Sequence, residues 1–119
     1  MIDFHLFNKN IDYLKPLSEE FIRKNKNKVY WSYISYYQKL SEEFIKEFQD
    51  KVDWFYISKY QKLSEDFIRE FKDKVNWKEI SLHKKLSENF IREFQDKINW
   101  EYLLKKFGYE LLFRFIRFF

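Results

Sequence analysis

The 119-residue chain has no Cys, no Ala and no Thr, and only one Gly, one Pro and one Met. Without Cys it holds no disulfide framework and no thiolate-ligated zinc or iron–sulfur centre. A single Gly excludes a glycine-rich phosphate loop and a collagen repeat. No apolar run approaches the ~18 residues needed to span a bilayer. Asp3, His5, Asn8, Lys9, Asn10 and Asp12 interrupt the stretch from Met1 to Leu14, so it does not read as a signal peptide. The expectation is an intracellular protein that is not secreted. Charge of neither sign dominates: 23 basic against 19 acidic residues leave +4, a weak preference for anionic partners. What is abundant is apolar and aromatic material, 45% and 24% of residues, enough to build a packed core in a single domain.

Self-similarity organises the chain. Leu17, Leu40, Leu63 and Leu86 each open a 23-residue segment that aligns with the others without a gap. The repeats are residues 17–39, 40–62, 63–85 and 86–108. Residues 1–16 read as an N-terminal cap, a degenerate second helix with Leu6 and Ile11 at staple spacing. Residues 109–119 read as a C-terminal capping helix with Phe113 in register with Phe21, Phe44, Phe67 and Phe90.

Each repeat carries two helix starts. Ser18, Ser41, Ser64 and Ser87 are placed to cap a first helix, A, with carboxylates mostly in the next two positions, where they suit the helix dipole. Asp53, Asn76 and Asn99 cap a second helix, B, and Asn76 has Glu79 at capping-box spacing. Leu40 with Ile45 and Val52 with Ile57 are hydrophobic staples across these starts. Tyr30 stands at the cap position of the first repeat, so that start should be weaker. On helix A, the apolar places five, six, nine and thirteen (Phe67, Ile68, Phe71 and Val75) share one face, giving helices of about 10 residues. Glu47 with Lys51, Glu70 with Lys74 and Glu93 with Lys97 mark its solvated side as i,i+4 pairs. In the first repeat Asn25 replaces the ninth-place Phe, so that helix should end early or meet water.

On helix B, the nearly constant positions, Trp54, Ile57, Ser58 and Gln61 in the second repeat, fall within about 100° of arc and must face inward. Gln61, if buried, needs a hydrogen-bond partner. The variable positions fall on the opposite side. Short helices of this size are marginal alone, so the repeats must stack. The fold class expected is all-α, a short α-solenoid of stacked two-helix repeats with terminal capping helices. A continuous coiled coil is the rival, but 23 is not a multiple of the heptad and paired caps interrupt each repeat.

The string LSE(E/D/N)FI(R/K)EF(Q/K)DK(V/I)(D/N)W over residues 17–108 resembles the tandem short helical repeats of proteins from giant DNA viruses of amoebae. The resemblance implies a stacked helical fold and a viral origin, in the host cytoplasm or the virion, and carries over no catalytic or binding residues.

The variable arc of helix B supplies the candidate partner-binding residues: Tyr33, Tyr36, Phe55, Tyr56, Lys59, Lys78, Leu82, Tyr102 and Lys105. Exposed Tyr and Phe suit the centre of a protein interface, and the leading expectation is a non-enzymatic scaffold that binds a protein partner, structural within a viral assembly. The bland alternative is that these rings only cover neighbouring repeats. Nucleic-acid binding is the second class, resting on the basic patch Arg23, Lys24, Lys26 and Lys28. Against it, the net charges of the four repeats are +3, −1, +1 and 0, which is no continuous basic stripe. Membrane or self-association through Phe113–Phe119 is the third, against a tail that simply closes the stack. His5 and His83 are the only imidazoles and sit apart, so no metal site, cofactor or catalytic residue is expected.

Overall fold

A computed structural model of the chain describes residues 11–108. Every regular element among them is a helix. The chain divides into two compact units, Met1–Gln61 and Lys62–Phe119. The first holds α1 (Glu19–Lys24), α2 (Trp31–Tyr37), α3 (Glu42–Glu47) and α4 (Trp54–Tyr60); the second holds α5 (Glu65–Glu70), α6 (Trp77–His83), α7 (Glu88–Glu93) and α8 (Trp100–Phe107). The odd-numbered helices are the A helices of the repeats and the even-numbered ones the B helices. Within each unit successive repeats stack, α2 packing on α4 and α6 on α8. This is the α-solenoid arrangement of tandem helical repeats.

The starts fall where the caps stand. Ser18, Ser41, Ser64 and Ser87 accept from the backbone N–H three residues on, at 3.0–3.1 Å. Asp53, Asn76 and Asn99 accept from Phe55, Glu79 and Tyr102. Tyr30 makes no side-chain cap bond, as its side chain dictates. Its own N–H instead donates to the Tyr13 hydroxyl at 2.9 Å.

The helix ends differ from the expectation. Helix A is six residues, not about 10, and stops at place nine in all four repeats, with Asn25, Phe48, Phe71 and Phe94 as C-caps near φ −108° and ψ 22–31°. Asn25 therefore does not shorten its helix; the others end at the same place. Beyond that stop, two backbone groups of the following turn are fastened outside any helix. The Gln49 carbonyl, which an α-helix would give to the Asp53 N–H, is taken by the Trp54 indole Nε1 at 2.9 Å, and the Asp53 N–H goes to Ser35 Oγ at 2.9 Å. The pair Gln95–Trp100 and Asn99–Ser81 repeats this in the second unit. Val52 still reaches the core, because Lys51 and Val52 N–H both close a turn on the Phe48 carbonyl. The place-thirteen Val is thus buried by a turn rather than by helical periodicity.

Ending the helix at Glu47 also removes Lys51 from it. Glu47 is held instead by Arg23 of the preceding repeat, Nε to Oε2 at 2.9 Å and Nη2 to Oε1 at 3.0 Å, and Arg69 holds Glu93 in the same way. Each hydrogen-bonded guanidinium holds its partner carboxyl below the usual carboxylate range.

The joints between repeats are polar and satisfied. Gln38 and Gln61 are 4% exposed. Gln61 Nε2 donates to the Ser35 and Gln38 carbonyls at 3.0 and 2.6 Å, and its Oε1 accepts from the Leu40 N–H at 3.0 Å. Gln38 makes the equivalent three bonds to Tyr13, Lys15 and Leu17. Ser35, fully buried, donates to the Trp31 carbonyl while accepting from Asp53. The serine on the inner arc is therefore a hydrogen-bonded link between repeats, beyond its small size. Glu19 caps the next repeat's cap residue, accepting from both Ser41 N–H and Oγ, and Glu65 does so for Ser87. In the second unit Lys106 Nζ donates to the Lys84 carbonyl at 2.7 Å.

The apolar core of the first unit gathers around Ile22, Ile34, Phe44, Ile45 and Ile57, and that of the second around Ile68, Ile80, Phe90, Ile91 and Leu103. The four tryptophans do not join them: each is half-buried, which corrects the inward assignment of this position. Their indole N–H groups are fastened to the carbonyl five residues back. The Trp31 ring lies on Phe44 and Phe48, and Trp77 on Phe90 and Phe94. Phe21 is 38% exposed where Phe44 is 1%, so the first repeat does meet water. The expected terminal caps lie largely outside the described residues: Leu6 and most of residues 1–16 at one end, residues 109–119 with Phe113 at the other.

Candidate partner-binding surface

The inner face of helix B is set by Ile34 and Ser35 of α2 with its C-cap Gln38, and by Ile57 and Ser58 of α4 with its C-cap Gln61, all buried. A helix anchored on that arc turns the remaining positions outward. In α2 and α4 these are almost all aromatic. Tyr33, Tyr36, Tyr37, Phe55 and Tyr60 are 49%, 39%, 49%, 41% and 45% exposed, and Tyr56 and Lys59 are half-buried between them.

The rings form one continuous series. Tyr13 meets Tyr33 edge-on at 5.3 Å, Tyr30 meets Tyr33 at 5.3 Å, and Tyr33 meets Tyr37 at 6.3 Å. Tyr37 lies 4.4 Å from Tyr36, which bridges the two helices to Tyr56 at 5.1 Å and Tyr60 at 4.6 Å; Phe55 closes the series on Tyr56 at 5.2 Å. Tilted and edge-on arrangements at these spacings match the ring quadrupoles, each pair contributing about 0.5–1.5 kcal/mol beyond burial. The Lys59 ammonium sits over the Phe55 and Tyr60 rings at 5.7 and 5.3 Å. The hydrogen bond of the Tyr36 hydroxyl to Tyr60, followed by repulsion from that phenol, pushes the Tyr36 phenol above its ordinary value.

Of the residues expected from the sequence, Tyr33, Tyr36, Phe55, Tyr56 and Lys59 are brought together here. Lys78, Leu82, Tyr102 and Lys105 belong to the second unit, where the outward side of α6 and α8 is of mixed charge. There His83 lies 3.1 Å from Glu79, and Lys105 pairs with Glu101 and covers the Tyr102 ring. Tyr13, Tyr30, Tyr37 and Tyr60 join the surface without being among the residues expected from the sequence. Tyr37 and Tyr60 share the twenty-first place with His83 and Lys106, and that variability, at the flank of the outer arc, is a signal the sequence does contain. Tyr13 and Tyr30 carry none.

In the basic patch, Arg23 is committed to Glu20 and Glu47, leaving Lys24, Lys26 and Lys28 as its exposed cations. Among the described residues no group of three or more His, Asp or Glu side chains is placed to hold a metal ion, and no helix is long and apolar enough to cross a membrane. No family model, curated protein or solved structure matches the chain.

Proposed function

We propose that the chain is a non-enzymatic helical-repeat scaffold that engages a protein partner through the aromatic face of α2 and α4. The observation that carries this reading is the ring series itself: five large aromatic side chains stay 39–49% exposed although each has aromatic neighbours. Burying them on a partner would recover hydrophobic free energy that the isolated fold leaves unused, at ~25 cal/mol per Å² of apolar surface. Tyr is also a preferred residue at the energetic centre of interfaces, because it offers area, rigidity and a hydroxyl together. The buried Gln and Ser links support the same reading, since they hold the two helices in a fixed relation beneath the rings. A structural place in a viral assembly is proposed on the likeness of the repeat string to those of giant viruses of amoebae.

The test uses substitutions the repeat already tolerates. The places of Tyr36, Phe55 and Tyr56 are filled elsewhere in the chain by Lys59 and Lys105, by Lys78, and by Glu79. A chain carrying Tyr36→Lys, Phe55→Lys and Tyr56→Glu should therefore keep its helicity by circular dichroism while releasing proteins that the wild-type chain retains in a pull-down. Retention of every partner by a folded triple variant would refute the reading.

A further inference from the structure

We propose that the occupant of the α2 and α4 face is a second copy of this chain, docked about a two-fold axis; this rests on the reading of that face as a binding surface. Three properties of the face point to a self-complementary contact.

The first is charge. Helix α2, Trp31–Tyr37, has no charged side chain, and α4 has Lys59 alone, its ammonium already laid over Phe55 and Tyr60. In a two-fold interface the same patch is presented by both partners, so any net charge on it meets its own sign. A face with one ammonium per copy, already laid over its own rings, meets little of that repulsion, and it offers little for a charged heterologous partner to match. The outward side of α6 and α8 instead carries four charged side chains, Lys78, Glu79, Glu101 and Lys105, whose desolvation a contact there would have to offset.

The second is hydrogen bonding. A Lys only donates and a carboxylate only accepts, so neither pairs with its own copy. A Tyr hydroxyl does both, and a surface whose polar atoms are mostly Tyr hydroxyls can be satisfied by itself. Tyr36 and Tyr60 already bring two such side chains together within one chain, ring centroids 4.6 Å apart. The rings add to this, since edge-on and tilted contacts like those between Tyr36 and Tyr56 extend across an interface without new chemistry.

The third is area. At about 200 Å² per aromatic side chain, the exposed parts of Tyr33, Tyr36, Tyr37, Phe55 and Tyr60 amount to roughly 450 Å² per copy. Two copies bury up to about 900 Å² from these rings, with the half-buried Tyr56 and Lys59 adding to it, the size of a weak, concentration-dependent contact just below the ~1,200 Å² of standard interfaces.

The experiment is sedimentation equilibrium of the full chain from micromolar to submillimolar concentration, on the wild type and on the double variant Tyr36→Lys with Tyr37→Lys. Lys59, Lys105 and Lys106 occupy these two places in other repeats, so the substitutions suit the fold, and circular dichroism checks it. The wild type is expected to dimerise, and the variant, which sets four new like charges in one interface, to dissociate at least about a hundredfold more readily. Should the variant lose helicity, Tyr33→Glu, whose place is filled by Glu79, replaces it with the same expectation. A wild type that stays monomeric throughout overturns the proposal, as does a dimer that a folded variant leaves intact. A monomeric wild type leaves the partner-binding reading itself to the pull-down, so the two failures are distinguishable.

Discussion

Replacing Gln61 by Leu should cost the first unit about 3–5 kcal/mol, because three buried backbone groups lose their partner at once and each carries a desolvation penalty of ~1–3 kcal/mol. The groups are the Leu40 N–H and the Ser35 and Gln38 carbonyls, at 3.0, 3.0 and 2.6 Å from the amide. Leu is close to Gln in volume, so the loss reports hydrogen bonding rather than a cavity; the lower end of the range allows for the apolar area Leu gains. Against a typical domain stability of ~5–15 kcal/mol the effect is large. The assay is urea denaturation followed by far-ultraviolet circular dichroism, with an unchanged slope showing that the native state remains compact. Hydrogen exchange at the Leu40 amide supplies a local readout: slow in the wild type, fast in the variant. Gln61→Glu sharpens the test, because it keeps shape and acceptor but points an oxygen at two carbonyls. Its carboxyl, buried with one oxygen set against two carbonyls, must titrate above the ordinary ~4.3 of Glu in the folded state. Its penalty therefore appears as pH rises through that range and should be much smaller near pH 4 than at pH 7, at roughly equal Gln61→Leu cost. A Gln61→Leu loss under ~1 kcal/mol would refute the account of the joint.

Ser35→Ala removes a fully buried hydroxyl that links Trp31 and Asp53 and should cost about 1–3 kcal/mol by thermal melting, whereas Ser32→Ala on the half-buried flank should stay within ~0.5 kcal/mol. Burial, with the Lys106 ammonium adding to it, holds the Lys84 ammonium down to about 8 from 10.5. Between those values the unfolded chain keeps a proton the folded one has released, so stability should rise with pH from about 8 until the tyrosines begin to ionise near 10. Lys84→Gln, which restores the residue found at this place in the first two repeats, should raise the melting temperature at neutral pH and flatten that rise; parallel profiles for the two proteins would contradict the assignment. Gly108 closes α8 at φ 74° and ψ −178°, a region open almost only to Gly, and nothing lies within 4 Å of the point where a Cβ would stand. Gly108→Ala should therefore cost about 1–3 kcal/mol through backbone strain alone, read as loss of helicity at the end of α8.

Much of this architecture is legible in the sequence. The Ser and Asp or Asn caps act on backbone groups two or three residues away, so their effect is written locally. The need of Gln61 for a partner follows from its place on the inner arc. The recurring Arg or Lys and the Glu of helix A are legible too, but their pairing is not: Glu47 has Lys51 in helical reach by spacing, and only the early end of α3 hands it to Arg23. The tryptophans mislead for a related reason. Their constancy reflects an indole N–H that seals a turn and a ring that lies on the next repeat's Phe, and neither role requires full burial.

The repeat period, the two helix starts per repeat, the all-helical class and the outward side of helix B were determined by the sequence alone, because each depends on interactions spanning fewer than about four residues or on helical periodicity. The Gln and Ser links and the joining of separate tyrosines into one surface were decided by tertiary structure. Their partners stand 18 to 26 residues away, and no local rule specifies which carbonyl or ring will be there until one repeat has been laid on the next.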